Sequence, residues 1–252
     1  MSHSQHVADE YRAQIVRCAQ ALAVANNASV TQFVSGPAPA ETLKLFTDGN
    51  LDKRFLKLQD HFEQMIPEFD GFDDLLERYI RSVPLAAYDT GSSDSQRFLD
   101  WLCGTRRLSD RQRDHVACQR SRYAIELAAE TNRLGHLRFQ ELWPTHETFA
   151  AELDGNPRLW IHLNPIHAWG EFRTRALLDA ESDIPATVLF YPVGNDIRTA
   201  AVDPDAEVLV RALELRGPLH LDELLGDPPQ LARDELVEFC VDLANVGLVA
   251  FG

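Results

Sequence analysis

A chain of 252 residues, 45 % apolar and 25 % charged, with 13 Gly and 13 Pro spread along its length, can bury a core without disulfide or metal staples. That composition excludes disordered, collagen-like and coiled-coil chains. With 39 acidic against 24 basic side chains, the formal charge is −15 with His neutral, which repels duplex DNA unless one face gathers the Lys and Arg.

The first ten residues have neither the basic start nor the apolar run of a signal peptide, and no window approaches the roughly 18 apolar residues of a membrane helix. Cys18, Cys103, Cys118 and Cys240 form no C-x-x-C pair. Reduced, buried thiols in a cytoplasmic protein are expected.

From the N-terminus, Val7, Tyr11, Ile15, Cys18 and Leu22 recur at helical spacing and predict a helix over 7–25. A Pro- and Gly-bearing connector over 34–40 follows, after a short helix near 30–34. Leu51, Phe55, Leu58, Phe62 and Met65 mark an amphipathic helix that Pro67 should close. Phe72, Leu75, Leu76, Tyr79 and Ile80 make another, stopped before Pro84. The segment 89–94 reads as loop. Ser93 with Gln96, and Ser109 with Gln112, look like capping boxes opening two further helices, the second reaching about Asn132.

After Trp143-Pro144 the character changes. Leu159, Ile161 and Leu163 alternate as in a strand, 187–191 is β-rich, and Gly194-Asn195-Asp196 joins it to 197–202 as a hairpin. Asp203-Pro204 starts a helix that ends at Gly217-Pro218. A short helix over 221–225, a last helix over 231–245 and a strand over 248–251 complete the chain. Strand, hairpin, three helices and final strand is the order of a winged helix-turn-helix. Its usual reading is a DNA-binding transcription regulator. The candidate recognition helix, however, carries Asp234, Glu235, Glu238 and Asp242 against Arg233 alone, which brings acid to phosphate.

The chemistry-bearing residues have plain structural readings. His162 and His167 lie five apart with Pro165 between them and no third ligand at zinc spacing, so no metal site is expected. Asp70, Asp73 and Asp74 fit the cap and first turn of a helix. Arg106, Arg107, Arg111, Arg113, Arg120 and Arg122 form the one basic concentration, either a solvated helix face or a docking face for an acidic partner. No G-x-S-x-G elbow, P-loop, G-x-G-x-x-G or H-E-x-x-H motif occurs. Nothing nominates the chain as an enzyme by itself, and no catalytic residue is assigned.

Leu45-Phe46-Thr47-Asp48-Gly49-Asn50-Leu51, then 62–67, Gly71-Phe72, Tyr79, Pro84, Phe98-Leu99 and Leu102 together resemble the helical N-terminal domain of a particular protein family. These are the partner proteins encoded beside multinuclear non-haem iron-dependent oxidases that modify ribosomally made peptides, of the methanobactin and 3-thiaglutamate type. The 3-thiaglutamate type is nearest in length and layout. The resemblance spans most of the chain through loose apolar patterns, and the segments 89–94 and 168–183 depart from it. It implies a mainly α protein with a C-terminal α+β module: a helical domain over 1–142, a linker and first strand over 143–185, and a winged-helix-like peptide recognition element over 186–252. It further implies a non-catalytic subunit of a cytoplasmic heterodimer. That subunit would bind a precursor peptide and the oxidase and enable oxidation of a peptide Cys, with iron in the partner and no cofactor in this chain. A leader peptide would add to a sheet edge by β-augmentation. Ile197, Arg198 and Thr199 on the second hairpin strand, with Arg233 and Val237 on the last helix, are the expected peptide-binding residues, Val237 as an apolar floor and the arginines against an acidic side chain.

Overall fold

The structure, a computed structural model, describes residues 40–83, 93–143, 156, 158–178, 183–225 and 232–252. It is mostly helical, with small antiparallel sheets in the C-terminal half. Among the described residues no helix is long and apolar enough to cross a membrane. The chain divides into two compact units, Met1–Leu108 and Ser109–Gly252. The helix and connector expected over 7–40 and the loop before Ser93 fall outside the described residues, apart from Ala40 itself.

In the first unit, α1 (Ala40–His61), α2 (Phe72–Ser82) and α3 (Asp94–Thr105) enclose an aromatic core. The apolar spacing that predicts these helices also fills it: Leu58, Phe62, Met65, Leu76 and Tyr79 are essentially inaccessible. The Phe98 ring lies 5.1 Å from that of Phe62 and 5.3 Å from that of Tyr79. Two local expectations are corrected. Helix α1 ends at His61, and Pro67 sits inside a 3-10 turn, Glu63–Glu68, rather than at the helix end. The N-cap of α2 is Gly71 at φ 67°, not Asp70, while Asp73 and Asp74 occupy the first turn, where the helix dipole favours them.

The Ser93–Gln96 capping box opens α3 as expected. Beside it Arg54, 7 % exposed, donates twice to Asp94 at 2.7 and 2.8 Å and also donates to the carbonyls of Ile80 and Val83 at the end of α2. Tyr79 donates its hydroxyl to the same carboxylate. Burial works to raise the Asp94 pKa, but these charged and hydroxyl donors outweigh it and hold the carboxyl below its ordinary range.

The second unit contains α4 (Asp110–Thr131), α5 (Arg133–Leu142), β1 (Trp160–Leu163), β2 (Ala168–Phe172), β3 (Ala186–Val193) and β4 (Asp196–Val202). It continues with α6 (Pro204–Arg216), β5 (Leu219–His220), α7 (Leu221–Leu225), α8 (Arg233–Asn245) and β6 (Val249–Phe251). The second capping box, Ser109 with Gln112, opens α4, and Asp203 caps α6 with Pro204 at its first position. The helices over 110–142, which the sequence reading places in the N-terminal domain, belong to this unit, because α4 packs on β2 and β3.

Two three-stranded sheets organise the unit, in the orders β5–β1–β6 and β2–β3–β4. Leu209 and Leu213 of α6, Leu221 and Leu224 of α7, and Leu236, Val237 and Cys240 of α8 pack with Ile161, Val249 and Phe251 of the first sheet. The second sheet lies between two apolar layers. Val188 and Phe190 of β3 face Ile125 of α4, while Leu189 and Tyr191 face Val210 of α6 and Leu248. Strands β2 and β5 were not foreseen. Cys103, Cys118 and Cys240 are free thiols, of which only Cys240 is buried, its pKa pushed up to about 12 by burial. The expectation that Cys103 and Cys118 are buried is corrected: the first is exposed and the second half-buried.

Candidate functional site: the open edge of the second sheet

The hairpin β3–β4 has an unbroken register from Val193–Asp196 to Thr187–Val202. Gly194, at φ 63°, begins its two-residue loop, a conformation that costs a residue without a Cβ little. In such a hairpin the residues flanking the loop exchange two hydrogen bonds, and the ladder then alternates. Arg198 and Ala200 thereby bond to Tyr191 and Leu189, and the N–H and C=O of Ile197, Thr199 and Ala201 turn away from β3. The sheet order makes β4 an edge strand. Among the described residues nothing takes up those groups.

The opposite edge is held in part: of the groups on β2 that turn away from β3, the Trp169 carbonyl has a partner, and among the described residues nothing takes up the N–H of Trp169 or the N–H and C=O of Glu171. Helix α4 runs along β2, where Asp114, wholly buried, accepts from the backbone N–H groups of Arg173 and Thr174 at 2.8 Å each and from the Thr174 hydroxyl. Ser121 donates to the carbonyl of Trp169. The approach is tight: a Cβ on Gly170 would lie 3.0 Å from a ring carbon of Phe190 and 3.2 Å from the Ser121 hydroxyl.

Of the five residues expected to bind peptide, the structure brings Ile197, Arg198 and Thr199 together on β4. Ile197 is half-buried against the α4 layer, and Arg198 and Thr199 are exposed. Arg233 and Val237 are not joined to them. Val237 is 9 % exposed, inside the core of the first sheet, so it is no floor of an open groove. Arg233 is exposed at the start of α8, about 15 Å along the axis from Leu243. It is the far end of α8, with Leu243 and Val246, that shares an apolar cluster with Ala200 and Val202. Ala200 and Ala201 lie on the strand the sequence predicts, though they are not among the expected peptide-binding residues, and Asp196, expected in the turn, begins the strand. The two-residue loop at Gly194-Asn195 is the signal for Asp196, since it sets where pairing starts.

Other candidates resolve into structure. His167 bonds through Nδ1 to the carbonyl of Asn164 at 2.8 Å, and its Nε2 lies 3.4 Å from Glu214. Glu214 also accepts from Trp169 and Arg211, and the Arg211 guanidinium stacks 3.8 Å above the Trp169 ring. Burial works to raise the Glu214 pKa, but Arg211, His167 and Trp169 together hold it below the usual carboxylate range. His162 sits on β1, where burial lowers its pKa. Among the described residues no group of three His, Cys, Asp or Glu is placed to hold a metal ion. The arginines of the basic concentration divide between units: Arg106 and Arg107 follow α3, and Arg111, Arg113, Arg120 and Arg122 lie on α4.

Compared with known proteins, the chain matches no family model, no curated protein and no solved structure.

Proposed function

We propose that this chain is a non-catalytic partner subunit: it holds a ribosomally made precursor peptide on the β4 edge and binds an iron-dependent oxidase, presenting the peptide for oxidation at a Cys. The observation that carries this reading is the seven-residue edge strand β4, whose outward N–H and C=O groups at Ile197, Thr199 and Ala201 find no partner among the described residues. Open edges of this length are ordinarily blunted by Pro, bulges, charged side chains or a covering element. β4 carries Asp196 and Arg198 but no Pro or bulge, and among the described residues no covering element, so it suits β-augmentation by an extended segment. The strands and helices over 160–252 also suit a winged-helix-like recognition element. Binding both peptide and oxidase raises the effective concentration of the reactive end at the partner's metal centre. Iron and its ligands belong to the partner, and a cytoplasmic heterodimer is the assembly this reading requires.

The alternative, a DNA-binding regulator, rests on the same helix order. Asp234, Glu235, Glu238 and Asp242 are all exposed on α8 and oppose it. Size-exclusion chromatography of the chain with a candidate iron-dependent oxidase is the test. Co-elution at micromolar concentration is expected, and two separate peaks would refute the partnership. A mobility-shift assay at low and moderate salt should show no shift; one that weakens steeply with salt would favour the regulator.

A further inference from the structure

The face of β4 shared with Leu189 and Tyr191 carries, in chain order, Asp196, Arg198, Ala200 and Val202. The first two are exposed and form no ion pair or side-chain hydrogen bond among the described residues. Ala200 and Val202 are half-buried in the cluster with Leu243 and Val246. The edge thus presents an anion, a cation and two small or medium apolar side chains at a two-residue interval.

A strand added antiparallel to β4, hydrogen-bonded through Ile197, Thr199 and Ala201, places its alternate side chains opposite these four. We infer that this row sets the direction and register of the bound peptide. It selects an extended segment reading, from N to C, apolar, any, apolar, any, acidic, any, basic. The apolar residues lie opposite Val202 and Ala200, the acid opposite Arg198 and the base opposite Asp196. Slipping the peptide two residues one way sets its acid against Asp196; slipping it the other way sets its base against Arg198. A one-residue slip turns every side chain to the wrong face. A parallel strand meets the four positions in reversed order.

A second copy of β4 matches this row poorly. Antiparallel pairing about Thr199 sets Arg198 opposite Ala200 and makes no charge pair. The register that does pair Arg198 with Asp196 centres on Ile197 and overlaps only the three strand residues 196–198. The row therefore favours a separate, charge-patterned peptide over a second copy of this strand.

This inference rests on the reading of β4 as the peptide edge, and the experiment separates the two. Fluorescein-labelled Val-Thr-Leu-Thr-Glu-Thr-Lys and its charge-swapped counterpart Val-Thr-Leu-Thr-Lys-Thr-Glu are titrated with the full chain, with the double variant Asp196→Arg/Arg198→Asp, and with Thr199→Pro, following anisotropy. The folds of the variants are checked by circular dichroism. The wild-type chain should bind the first peptide about tenfold more tightly than the second, and the double variant should invert the order. If the wild-type chain binds both alike and Thr199→Pro abolishes both, the code is overturned while the edge stands. If neither peptide binds, or if Thr199→Pro changes nothing, the edge reading falls and the code with it. The two peptides on the wild-type chain decide the code even if a variant fails to fold.

Discussion

On the β2 side of the second sheet, a Cβ on Gly170 would crowd the Phe190 ring of β3 and the Ser121 hydroxyl of α4, and a buried carboxylate answers two backbone N–H groups beyond the strand. At the β4 edge, a strand of seven residues, the amides of Ile197, Thr199 and Ala201 face outward with nothing among the described residues to receive them. Both edges belong to one small sheet with the same apolar layers above and below. The difference teaches where stability and availability are divided: β2 has a helix on its face, a bond to the Trp169 carbonyl and the Asp114 clasp just past its end, and β4 gives up such stabilisation and keeps its backbone free to pair.

Replacing Asp114 with Ala should be the severest way to break this contrast, because it strands two part-buried N–H groups and a hydroxyl. A loss of about 2–4 kcal/mol is expected in urea denaturation, and a loss below about 1 kcal/mol would show that the end of β2 is not held by that carboxylate. Gly170→Ala should cost about 1–2 kcal/mol by forcing Phe190 or Ser121 aside. Its counterpart on the open edge, Ala201→Val, should change stability by less than about 0.5 kcal/mol. Amide exchange sharpens the comparison without mutation: the amides of Arg198 and Ala200, bonded to β3, should exchange at least about tenfold more slowly than those of Ile197, Thr199 and Ala201. Equal rates along β4 would mean that the alternation is wrong or the edge is covered. The smallest effect is expected from Arg198→Ala, whose melting temperature should stay within about 2 °C of the parent.

Local chemistry made much of the fold readable. Ser93 with Gln96, Ser109 with Gln112, Asp203-Pro204 and the turn at Gly194 each state an element boundary within a few residues, because the groups that satisfy the boundary are neighbours in the chain. Strand β2 escaped because its evidence is distant: Ala168, Gly170 and Phe172 look toward α4, and the crowding at Gly170 comes from Phe190 of β3 and Ser121 of α4, both far along the chain. The same distance misplaced α4 itself, whose partner sheet begins beyond a long intervening segment. At the candidate site, alternation along β4 is legible, so the places of Ile197, Arg198 and Thr199 on the strand follow from the sequence. Which face of α8 looks inward was not. That depends on β1, β5 and β6, strands of two to four residues that only assemble with the helices in place, and so Val237 was read as a floor where it is core.

Asn164 is 1 % exposed, and through its side chain it meets the Ile166 amide, the His136 ring and the carbonyl of Gly247, tying the bend between the sheets to α5 and to the turn after α8. Its importance bears on how the molecule ages. An asparagine deamidates most readily when the following amide nitrogen attacks its side-chain carbon, and that nitrogen must carry a hydrogen to lose. The residue after Asn164 is Pro165, whose nitrogen has none. The knot that holds the sheets together is therefore closed to the commonest hydrolytic route by which a buried amide becomes a buried negative charge.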